Sequence, residues 1–65
     1  MNLDELWDVT YKEGRRIAML VKAGDISRAD VEAAQRAYPD DAEPIIALFL
    51  LDGGTYTTAK ERYYP

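Results

Sequence analysis

Leu3, Trp7, Thr10, Gly14, Ile17 and Val21 follow one another at alternating spacings of four and three, the pattern of one helix face. Leu6, Val9 and Leu20 widen that seam into an apolar stripe. Asn2 stands at the N-cap position, with Glu5 three residues on to complete a capping-box pattern. Ala23-Gly24 supplies the stop, so the pattern predicts a helix over 3–23. Gly14 is awkward in its interior, since glycine costs about 0.8–1.0 kcal/mol against alanine there. Either another helix approaches its backbone closely, or the helix breaks near residue 14.

Ser27 caps a second helix over 28–37, whose stripe is thin: Val31 and Ala34, with Ala29, Ala33 and Ala37 beside them. Pro39 ends it by pushing Tyr38 out of helical geometry. Asp40 or Asp41 then caps a third helix over 42–52, with Pro44 in its first turn, where a missing N–H is harmless. This helix holds Ile45-Ile46-Ala47-Leu48-Phe49-Leu50-Leu51, apolar on every side, and such a helix must be enclosed. Each of its six large side chains gains about 1.5–3 kcal/mol on full burial. Gly53-Gly54 ends it. Thr55-Tyr56-Thr57 has strand chemistry, while Thr57 could instead cap a last helical turn through Arg62. Residues 17–30 also align on 47–60, pairing Gly24 with Gly54 and Ser27 with Thr57, a likeness that any two helix–glycine–cap junctions share.

The expected fold is all-α: one small helical domain over 1–65, with three helices (about 3–23, 28–37 and 42–52) and an irregular or short helical tail. The third helix should be central and the first should lie along it, with Trp7, Ile17, Leu20 and Val21 giving most of the cover. The alanine-rich second helix covers little. An apolar face should therefore stay open for a second copy or a partner, and the residues expected to serve it are Leu3, Trp7, Ile17, Val21, Phe49, Tyr63 and Tyr64.

Composition narrows the chemistry. The chain has 65 residues, no cysteine and no histidine, so disulfides, thiolate metal sites and the commonest general base are all missing. An enzyme is not expected, nor a cofactor or a bound metal. Asp40, Asp41 and Glu43 could coordinate a hard cation, but the segment lacks the alternating ligands and glycine turn of a calcium loop, and the acids fit a helix start. The net charge is −4. Residues 1–24 are balanced, whereas 25–54 carry seven acids against two arginines. That balance argues against nucleic acid as a partner. It also argues against reading 23–31 as a helix-turn-helix, because Asp30 and Glu32 would face phosphate. The apolar run is too short to cross a membrane and Met1-Asn2-Leu3-Asp4-Glu5 is acidic where a secretory signal is basic, so a cytoplasmic protein without membrane insertion is expected.

Leu20-Val21-Lys22-Ala23-Gly24-Asp25-Ile26-Ser27, followed by Val31 and Ala34, resembles a short helical motif in the N-terminal domains of secretion and pilus-assembly ATPases. Some of these bind cyclic di-GMP. Arg15 stands where that family has its ligand-binding arginine, but Ile17 replaces the glycine that lets the ligand approach. The resemblance is one of local structure.

The function expected first is therefore a non-enzymatic protein–protein interaction module: an adaptor, an assembly factor, or an accessory protein of a phage or mobile element. An acidic inhibitor that mimics nucleic acid on a partner protein is the alternative. A small cyclic-nucleotide binder using Arg15 and Arg16 is a weaker one.

Overall fold

The computed structural model describes residues 2–64 and is all-helical: α1 (Leu3–Lys22), α2 (Arg28–Ala37), α3 (Ala42–Leu51) and α4 (Tyr56–Tyr63). Each helix starts on a side chain that can accept a hydrogen bond. Asn2 accepts from the Glu5 N–H, Ser27 from Asp30, Asp41 from Glu43 and Thr55 from Thr58. α1 and α3 end alike. The N–H of Gly24 reaches the Val21 carbonyl and that of Asp25 the Leu20 carbonyl; Gly53 and Gly54 do the same to Leu50 and Phe49. This double bond pattern needs a residue with positive φ, which Gly24 (81°) and Gly53 (97°) provide.

The tail is helical, not a strand. Its cap is Thr55 rather than Thr57, because Thr55 and Thr58 form a reciprocal capping box. The internal echo is displaced accordingly. In structure Gly24 corresponds to Gly53 and Ser27 to Thr55, so the sequence match paired the wrong glycine and the wrong cap.

α3 is central, with α1, α2 and α4 packed around it. None of the seven side chains over 45–51 is exposed. Their neighbours form two clusters. Trp7, Ile46 and Ala59 make one, with Tyr11, Phe49, Tyr63 and Tyr64 against it. Ala18, Val31 and Ala47 make the other, with Ile17, Val21, Ile26, Leu48 and Leu51 against it. The line that α1 presents inward is thus Trp7, Gly14 and Ala18, turned slightly from the seam read in the sequence. Leu20 joins neither cluster.

Gly14 is explained by close approach, and α1 runs through it unbroken. A Cβ placed there would lie 2.7 Å from Ile46 Cγ2 and 3.1 Å from the Glu43 carbonyl oxygen. Only a residue without a side chain lets α1 come this near to α3.

A candidate interaction surface

The tail closes one end of the molecule. Trp7 is ringed by Tyr11, Tyr56 and Tyr64 at centroid distances of 6.1, 6.4 and 5.9 Å, with Tyr64 edge-on at 88°. Tyr63 meets Phe49 edge-on at 5.5 Å. Two carboxylates in the first turns of α1 hold this layer down. The Tyr56 hydroxyl donates to Asp8 at 3.0 Å, and the Tyr64 hydroxyl donates to Asp4. That bond to Asp4 holds the Tyr64 phenol above its ordinary ionisation range. Lys60 lies 5.0 Å over the Tyr64 ring. The tyrosines at the end of the chain therefore fold back over Trp7 and Phe49.

Arg28, at the start of α2, grips Asp52, at the end of α3, through two bonds of 2.9 and 3.2 Å. This paired bond lowers the Asp52 carboxyl and raises the Arg28 guanidinium.

Of the seven residues expected to serve an interface, only Leu3 is exposed. Trp7 is a core residue, 5% exposed. Ile17, Val21, Phe49, Tyr63 and Tyr64 are half-buried against the two clusters. Apart from Tyr38 and Tyr56, the large apolar side chains that stay exposed among the described residues are all on α1. Leu3, Leu6 and Val9 are 56%, 51% and 51% exposed, and Met19 is 57% exposed. Leu3 and Leu6 border an apolar hollow of about 140 Å³ whose floor includes Trp7, Ala42 and Tyr63. Leu6 and Val9 were legible in the sequence as stripe-widening positions. Their exposure follows from the turn of α1 that aims Trp7, Gly14 and Ala18 at α3.

The charges of α1 are sorted along its length. Asp4, Glu5 and Asp8 all precede the first basic residue, Lys12, which is followed by Arg15, Arg16 and Lys22 against the single acid Glu13. Arg16 makes a loose pair with Glu13 at 3.7 Å. Beyond Glu13 lies Glu43, whose carboxyl is raised, first by partial burial and then by the charges of Asp41 and Glu13. Arg15 is exposed, whereas Ile17 packs inward against the Ala18–Val31–Ala47 cluster, so the two positions of the ATPase-like motif do not converge. Among the described residues no group of three or more His, Cys, Asp or Glu side chains is placed to hold a metal ion, and no helix is long and apolar enough to cross a membrane.

No protein-family model matches the chain, and no curated protein or solved structure matches it either.

Proposed function

We propose that this chain is a non-enzymatic protein–protein interaction module whose binding surface is the open apolar face of α1. The observation that carries the reading is the half-exposed trio Leu3, Leu6 and Val9 beside an apolar hollow, in a small chain whose greasiest helix is already enclosed. Scattered single apolar residues on a surface need no explanation, but a contiguous set beside a hollow favours a binding role. None of the three is buried, so circular dichroism of the aspartate variants separates binding from folding.

The test is capture of partner proteins from the source cells on the immobilised chain, comparing the native sequence with Leu6→Asp and Val9→Asp, and with Glu61→Ala as a surface control. Loss of the captured protein with the first two and retention with the third is the expected result. Equal capture by all four overturns the assignment of this face. Salt adds a second readout. Binding through an apolar face persists as ionic strength rises, whereas acidic mimicry of nucleic acid fades with screening.

A further inference from the structure

Leu6, Val9, Glu13, Arg16 and Leu20 succeed one another on α1 at spacings of three and four, a second seam on the side of the helix turned away from α3. None of the five is buried, and Arg16 and Glu13 keep 69% and 47% of their side chains in solvent. The seam is apolar at both ends, with one acid and one base in the middle. We propose that a second copy of this chain docks on it, α1 against α1, antiparallel about a two-fold axis between Glu13 and Arg16. The inference rests on reading α1 as a binding surface and names the occupant.

Charge selects this partner and this direction. Under the two-fold axis Glu13 faces Arg16 of the other copy, and Arg16 faces its Glu13. Val9 meets Leu20, and Leu6 meets the small Ala23. The acidic first half of each helix lies beside the basic second half of its mate, and the helix dipoles oppose one another. A parallel pair sets Glu13 on Glu13, Arg16 on Arg16, and acidic half on acidic half, which is repulsive throughout. The 3.7 Å pair within one chain is long enough to be exchanged for a pair between chains.

α1 has 20 residues and so is about 30 Å long. One helix-to-helix contact of that length falls at the low end of specific interfaces, about 1,200 Å² in total, so the dimer is reversible and appears with concentration.

The test uses sedimentation equilibrium of the full chain from micromolar to millimolar concentration, with circular dichroism to show that every variant keeps its helices. The native chain should pass from monomer to dimer. Glu13→Arg and Arg16→Glu should each raise the dissociation constant at least ~10-fold, since each sets like charges opposite one another. An equimolar mixture of the two variants should dimerise again, because each then finds its opposite across the axis. Repair within a single chain cannot give that rescue. Leu6→Asp should also favour the monomer. A native chain that stays monomeric throughout overturns the self-pairing but leaves the wider binding reading to its own capture test. A dimer indifferent to both charge changes, or a mixture that stays monomeric, overturns the two-fold arrangement.

Discussion

Two sides of α3 are covered in opposite ways. On one, Trp7, Tyr11, Tyr63, Tyr64 and Phe49 pack around Ile46 and Ala59 with large rings, and the exposed Tyr56 lies against Trp7 from outside. On the other, Ala18, Val31 and Ala47 bring helices together with small side chains, and Ile17, Val21 and Ile26 close the margins. One side is a thick layer pinned by hydroxyl–carboxylate bonds. The other is a close approach of backbones clamped by Arg28 and Asp52. An alanine-rich helix such as α2 covers an apolar neighbour well enough if it comes near, and a ring-rich helix such as α4 covers it from further away.

That contrast predicts unequal sensitivity. Trp7→Ala should be the most damaging change, about 3–5 kcal/mol by urea denaturation, because removing the indole empties the centre of the aromatic layer. A cost below that of the change at Val31 would move the main anchor to the small-residue side. Val31→Ala removes two buried methyl groups at about 0.8 kcal/mol each and leaves a small cavity, so it should cost about 1.5–3 kcal/mol. Gly14→Ala probes the closest approach of α1 to α3. Overpacking against Ile46 costs about 1–3 kcal/mol and better helix propensity returns about 0.8–1.0, so a modest net loss is expected. Repeating it in an Ile46→Ala background removes the Cγ2 contact but keeps the Cβ that would lie 2.8 Å away, so the loss should shrink only in part; an unchanged loss would place the obstacle at that Cβ and the Glu43 carbonyl.

The smallest effect concerns Tyr64. Its raised ionisation means that its stabilising contribution is fully present below pH 10.0, the ordinary tyrosine value, and is lost as pH climbs through the higher folded value. Spectrophotometric titration of the native chain should therefore show one late-ionising phenol that disappears in Tyr64→Phe. An unchanged titration curve would remove the Tyr64–Asp4 bond from the account of the aromatic side.

Much of this was legible in the residues. Caps at Asn2, Ser27 and Asp41, stops at Gly24 and Gly53, and the central apolar helix all follow from local chemistry and period. The small residues were harder. Ala18 and Ala59 are 3% and 0% exposed, yet nothing in their size ranks them above Leu3 or Leu6, which stay outside. A seam drawn through large residues put Leu3 and Thr10 on the inner line. Trp7, Tyr11, Gly14 and Ala18 have the same spacing, and the pair Gly14–Ala18 marks where a backbone can come close. The tail was ambiguous because Thr55, Thr57 and Thr58 offer several caps. The reciprocal Thr55–Thr58 box settles the choice by satisfying two backbone positions together. The acid-to-base gradient of α1 was visible in the sequence. The side on which it lies open was fixed only by the rotation of α1 against α3.

The central position of α3 has a consequence for how the protein is made. As the chain leaves the ribosome, α1 and α2 emerge first, and neither cluster can close: Trp7 waits for Ile46 and Ala59, and Ala18 with Val31 waits for Ala47. No segment ending before residue 42 holds a complete core, so folding waits until α3 and α4 have emerged and then proceeds as one event. A premature stop anywhere in α1 or α2 therefore yields a fragment open to proteases rather than a smaller working domain.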